Sequence, residues 1–208
     1  MSGRDGSTRI ALVRHGETEW NRRRLLQGAT DIPLNDTGRS QARQTGAVLA
    51  AESWTALVSS PLVRARETAE IIGAALGLAP CRTDPDLIER SYGAAEGLTR
   101  EHAHREWPHG PAPGTEEISA AVLRGRRALR TLVEDLPGAS IVAVTHGALV
   151  RGLLESLLGE PVPPHPQRRD LRGAPHGRRL DRRERGDRPA HPACRRLTMS
   201  LIQTAHVG

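Results

Sequence analysis

An apolar run over residues 9–13 (RIALV) breaks off into Arg14-His15-Gly16, the pattern of a buried strand that delivers polar groups at its carboxyl end. A polar, Arg-rich loop follows through Gln27-Gly28. Asp36 or Thr37 then stands where a helix N-cap belongs, ahead of Ala42, Gly46, Leu49 and Ala50 on one helical face. Residues 56–58 predict a second strand, closed by Ser59-Ser60-Pro61. Residues 62–76 predict a helix, with Leu62, Ala65, Ala69, Ile72 and Leu76 spaced three to four apart and Gly77 as its stop. Leu87-Ile88 predicts a short strand before Glu89, and residues 102–107 a polar helical turn ended by Pro108. The Pro- and Gly-rich residues 109–114 read as a loop. Thr115 is then placed to cap a long helix whose apolar stripe is Ile118, Val122, Leu129, Leu132, Val133 and Leu136. Residues 141–144 form the strongest strand pattern of the chain, running into Thr145-His146-Gly147, and residues 148–158 an apolar helix. Strands alternating with helices predict an α/β fold, a three-layer α/β/α domain around a mostly parallel central sheet.

Past residue 163 the pattern changes. Residues 164–208 carry repeated Arg pairs with Pro, His and Gly punctuation, and only the fragment 197–202 looks apolar, too little surface to offset the entropy of ordering the segment. The expected organisation of the 208 residues is one domain over 1–163 and a disordered, Arg/Pro-rich tail over 164–208. An out-of-frame reading of a GC-rich gene, or a naturally divergent replacement, would both produce such a tail. Composition sharpens this division. The formal charge of +6 suggests an anionic partner such as nucleic acid until it is located. Residues 1–163 hold 19 Arg against 20 Asp and Glu, whereas residues 164–208 hold 11 Arg against 4 acids, so the basicity belongs to the tail. That tail has no aromatic residue to stack bases and no helical pattern to enter a groove, which argues against nucleic acid as a partner. Cys81 and Cys194 lie far apart outside any paired motif, so neither a disulfide framework nor a zinc site is predicted. A polar N-terminus and the lack of any long apolar stretch predict no membrane partner and a cytoplasmic location.

Two predicted strands end in a histidine followed by a glycine. Ligands of open α/β sheets bind beyond the carboxyl ends of the strands, so His15 and His146 are expected in one crevice. Glycine after each histidine leaves room for a ligand, and Gly147 opens a helix whose first amides can hold an anion. Arg14 and Arg64 add guanidinium forks that match phosphate oxygens two at a time. The set predicts a phosphate site in which two Arg and two His take the role often given to a metal. His102, His104 and His109 lack an acid or Cys to complete a ligand set, and no metal or other cofactor is expected.

These residues carry a resemblance. Arg14-His15-Gly16-Glu17-Thr18-Glu19-Trp20-Asn21 resembles the R-H-G-x-T-x-x-N signature of the histidine phosphatase superfamily, in its phosphoglycerate-mutase-like branch. Residues 34–42 resemble that family's L-x-x-x-G-x-x-Q-A, and residues 59–65 its S-S-P-L-x-R-A. Leu87-Ile88-Glu89 with Gly93 and Glu96-Gly97 resembles the segment bearing the acid/base carboxylate, and Thr145-His146-Gly147 the second histidine. The resemblance implies a phosphoglycerate-mutase-like fold with His15 as the nucleophile that carries a phosphohistidine. It implies that Arg14, Arg64 and His146 hold the phosphoryl oxygens, that Glu89 is the acid and base, and that Asn21, Gln27, Gly28 and Gly147 line the substrate pocket. Glu96, seven residues after Glu89, is the competing carboxylate.

The expected activity is hydrolysis of small phosphate monoesters without a metal. Only 56 residues separate Glu89 from His146, whereas the family's mutases look longer there, with a lid that excludes water. A cofactor-dependent phosphoglycerate mutase is the alternative, and a tail-borne nucleic-acid-binding module the third reading. The ester itself and the choice between monomer and homodimer stay open.

Overall fold

A computed structural model describes residues 7–79, 81–159 and 197–202. Its elements are β1 (Thr8–Arg14), α1 (Glu19–Arg22), α2 (Asp36–Leu49), β2 (Ala56–Ser59), α3 (Val63–Leu76), β3 (Arg82–Thr83), α4 (Arg100–Glu106), α5 (Ile118–Asp135), β4 (Ser140–Thr145), α6 (Gly147–Leu158) and β5 (Leu197–Ile202). The strands lie in the order β3-β2-β4-β1-β5, and every neighbouring pair is parallel.

The unbroken apolar runs of β1 and β4 follow from burial on both faces. Ile10 and Leu12, with Val58, Ile141 and Ala143, face one layer made by Ala121, Ala128, Leu129 and Leu132 of α5 and Leu149 and Leu153 of α6. Ala11 and Val13, with Leu57, Val142 and Val144, face the other, made by Leu49 of α2 and Ala65, Ala69 and Ile72 of α3. This is the three-layer α/β/α arrangement that the alternation predicts. Among the described residues no helix is long and apolar enough to cross a membrane. In register, Arg14 pairs with Thr145, and the His15 amide donates to the Thr145 carbonyl at 2.9 Å. The two histidines therefore emerge side by side at the carboxyl end of the sheet.

Several expectations shift for local reasons. Residues 85–87 form a 3₁₀ turn, not a strand at Leu87-Ile88: Pro85 has no N–H for a ladder, and the Asp84 carboxylate accepts from the Asp86 amide at 2.9 Å. The short edge strand is instead Arg82–Thr83. Asn35, not Asp36 or Thr37, caps α2, its side-chain oxygen accepting from the Gly38 amide at 2.8 Å. Thr115 does not cap α5, which starts at Ile118; its hydroxyl donates to the Tyr92 carbonyl at 3.1 Å and ties down the loop after Glu89.

The tail departs most. Leu197–Ile202 forms β5, running from Thr8↔Leu197 to Val13↔Ile202 along β1, so that segment is a strand and not disordered. β1 thereby has a neighbour on both sides and is no sheet edge. The rest of residues 164–208, and with it the boundary at 163/164, lies outside the described residues.

Candidate active site

The loop leaving β1 is pinned before it can position anything. Gly16 packs against the start of α2 so closely that a Cβ would stand 2.4 Å from the Gly38 carbonyl oxygen. Its amide donates to the Thr68 hydroxyl of α3 at 3.1 Å. His15 is held within that loop at 5% exposure. Its Nδ1 lies 2.7 Å from the Gly16 carbonyl oxygen. A carbonyl only accepts, so Nδ1 carries the proton and Nε2 the free lone pair. Burial, then the charges of Arg64 and Arg14, hold the imidazole well below its ordinary pKa of 6.5.

His146 stands 5.1 Å away, ring centre to ring centre, fully buried. Its Nε2 is 2.8 Å from the Ser60 hydroxyl, while Nδ1 is buried without a partner. Burial, Arg64, His15 and Arg14, in that order, push its pKa well down as well. Arg64 is the largest fully buried side chain. Its guanidinium donates to the carbonyls of Gly28 at 2.7 Å and Thr30 at 2.8 Å, and its Nε has no partner. Burial lowers its pKa to about 10, which leaves it cationic at neutral pH. Arg14 lies against the start of α6, since a Cβ on Gly147 would be 3.2 Å from its Nε; burial lowers its pKa too.

Glu89 is 8% exposed, and its carboxylate caps α6: Oε2 accepts from the Ala148 amide at 3.0 Å, and Oε1 from Leu149 at 3.1 Å and Arg90 at 3.0 Å. The amides expected to hold a ligand anion after Gly147 are thus occupied by Glu89. Asn21 lines a cleft with Arg14, His15 and Glu17. Its side-chain oxygen also accepts from the Thr18 amide at 3.1 Å. Gln27 accepts from the Thr18 hydroxyl at 2.9 Å and is buried. Gly28, at φ +53°, presents its carbonyl to Arg64. Gly28 thus holds Arg64, whereas Gln27 holds Thr18.

The competing carboxylate is used otherwise. Glu96 accepts from the amides of Ala29, Thr30 and Tyr92 at 3.0, 2.8 and 3.0 Å and from the Thr30 hydroxyl. Burial opposes its ionisation, but these bonds outweigh that and its pKa is lowered. It clamps the loop whose carbonyls hold Arg64. Ser60 and Thr68 hold parts of this candidate site, and the sequence reading passed over both, although Ser60 sits inside the Ser59-Ser60-Pro61 motif. Their partners lie 86 and 52 residues away, which no local pattern reveals.

Known proteins are similar to this chain in sequence and fold. The model of the histidine phosphatase superfamily (branch 1) matches residues 10–173. The uncharacterized phosphatase PhoE of Bacillus subtilis is 41% identical over 152 residues, covering 73% of this chain and 78% of its own. Phosphoglycerate mutase-like protein 4 of Arabidopsis thaliana is 38% identical over 159 residues, 70% of this chain and 69% of its own. The mycobacterial glucosyl-3-phosphoglycerate phosphatase Rv2419c, solved with VO3, superposes with a TM-score of 0.66 at 31% identity, covering 73% of this chain and 80% of that one. The chain therefore belongs to the histidine phosphatase superfamily, branch 1.

Proposed function

We propose that the protein hydrolyses small phosphate monoesters without a metal, through a phosphohistidine on His15. The observation that carries this reading is a pair of buried, unpartnered nitrogens, Arg64 Nε and His146 Nδ1, around a neutral His15 whose Nε2 is free. Buried donors without partners cost on the order of 1–3 kcal/mol each. Phosphoryl oxygens would satisfy them. With the Ser60 hydroxyl donating to His146 Nε2, the single proton of the neutral ring is on Nδ1, a donor facing the developing charge.

In the first step His15 Nε2 forms a bond to phosphorus while the ester P–O bond breaks, and Glu89 gives the leaving oxygen its proton. In the second, Glu89 as carboxylate takes a proton from water, whose oxygen bonds to phosphorus as the N–P bond breaks. Arg14, Arg64 and His146 hold the non-bridging oxygens throughout, so catalysis is positioning plus electrostatics. The two guanidinium cations supply the charge that a metal would otherwise bring, and neutral His146 adds a donor.

Between Glu89 and His146 the chain forms a 3₁₀ turn, α4, α5, β4 and their connecting loops, with no further helical layer to close over the site, which supports water as acceptor. The phosphatase names of two of these relatives support the same choice, while the mutase-like one keeps phosphoglycerate mutase as the alternative. The test is a panel of phosphate monoesters, phosphoglycerates included, assayed for both phosphate release and phosphate migration, with and without chelator. Phosphate release from one or more esters, faster than any migration and unchanged by chelator, is expected. Faster interconversion of phosphoglycerates makes the protein a mutase, and loss on chelation makes it a metal enzyme.

A further inference from the structure

Glu89 sits on an irregular segment, and regular secondary structure does not hold it. What holds it comes from α5. Arg124 places one nitrogen, Nη1, against two carbonyls just before Glu89, those of Asp86 at 2.9 Å and Ile88 at 2.5 Å. Its Nε and Nη2 take both oxygens of Glu116 at 3.0 Å each, the two-pronged geometry in which guanidinium and carboxylate are most directional. Glu116 in turn reaches the segment just after Glu89. Its Oε2 accepts from the Ser91 amide at 3.3 Å, its own amide donates to the Ser91 carbonyl at 2.9 Å, and its carbonyl accepts from Arg90 Nη2 at 2.7 Å. The pair is largely shielded, with side-chain exposures of 15% for Arg124 and 26% for Glu116. Glu89 is therefore gripped on both sides, and its carboxylate then reaches the first amides of α6.

We infer that Arg124 and Glu116 form a brace that fixes the Glu89 carboxylate in its acid/base position, and that Arg124 is a positioning residue of this active site. The inference rests on the acid/base role given to Glu89 above. Only a fork serves: a lysine in place of Arg124 keeps the charge but cannot hold two carbonyls and a carboxylate at once. The brace touches no substrate, so it governs the proton step and leaves binding alone.

The experiment compares wild type, E89Q, R124M, R124K, E116Q and E89Q/R124M, with R126M as a surface control. Substrates are an alkyl phosphate, whose leaving oxygen needs a proton, and 2,4-dinitrophenyl phosphate, whose leaving group does not. With the alkyl ester, R124M is expected to lose on the order of 100-fold in kcat at nearly unchanged KM, as a displacement of about 1 Å at a reacting group does. R124K recovers part of that loss, E116Q loses less, and R126M matches wild type. The burst of dinitrophenolate on the first turnover stays near wild type in R124M. E89Q/R124M is no slower than E89Q, because both changes remove one function. Equal loss in the first-turnover rate on both esters, or losses that multiply in the double variant, overturns the brace. If the first-turnover rate of E89Q is itself indifferent to the leaving group, the role of Glu89 as acid falls and the inference with it. E116Q carries the same comparison should R124M not fold.

Discussion

The ends of β1 and β4 carry the same dipeptide, histidine then glycine, and lie side by side, yet their imidazoles are connected in opposite senses. At β1 the ring is tied through Nδ1 to the carbonyl of Gly16, the very next residue, and Nε2 is left bare. At β4 it is tied through Nε2 to Ser60, a residue from the end of β2, and Nδ1 is left bare. In the proposed mechanism, a local tie holds His15 by its own loop and leaves a lone pair to attack. In that mechanism a tertiary tie holds His146 by a neighbouring strand end and leaves Nδ1 as a donor to stabilise. The role of a histidine here is set by which nitrogen the fold consumes, and the amino-acid identity alone does not say which.

This contrast breaks or sharpens under substitution. The largest effect is expected at His15: H15A should lower turnover on the order of 10⁵- to 10⁶-fold, as loss of a nucleophile does, and no phosphoenzyme should be trapped on quenching in alkali. H146A should cost about 10²- to 10³-fold in kcat, the range for one donor to a developing oxyanion, while phosphoenzyme still accumulates on rapid quench. Equal loss of phosphoenzyme in both variants would erase the distinction between them. A smaller effect is expected one step further out: S60A should cost about tenfold or less, as one hydrogen bond implies, and should add nothing to H146A in a double variant.

The mildest test is pH. Both imidazoles are held below the ordinary value of 6.5, so below that pH the unfolded chain takes up protons that the fold refuses. Their contribution to stability is complete above about pH 6.5 and is lost as pH falls from there. The melting temperature should drop between pH 7 and 5, and the drop should be shallower in H146Q. An identical slope in that variant would mean that His146 is not held neutral.

The layered fold was legible because it is written in local periodicity: the burial of β1 on both faces and the stripe of α5 need no knowledge of partners. The cluster of Arg14, His15, Arg64 and His146 was legible because strand ends in a parallel sheet converge. Three things were not. Glu89 was placed in the site, but its grip on the amides of α6 depends on a segment that lacks regular structure, and its neighbours Glu96 and Glu116 look alike in sequence until their partners are known. Ser60 and Arg124 make their contacts across long separations and carry no periodic mark. The strand at 197–202 was hidden by its setting, six residues of which four are apolar following an Arg-rich stretch, where composition averages outweigh a short run.

That last strand gives the molecule an order of assembly. Residues 8–14 are made before both of their partners, and one side of β1 pairs with β4 while the other pairs with β5. The strand that presents His15 thus closes its ladder only after residues 197–202 have been synthesised, a pairing of very high sequence separation and a slow kind of contact to form. Until then β1 is an open edge bearing unpaired amides and carbonyls. For this chain, completing the sheet under His15 waits for β5, and a nascent chain stalled before β5 would expose one edge of the strand that leads into His15.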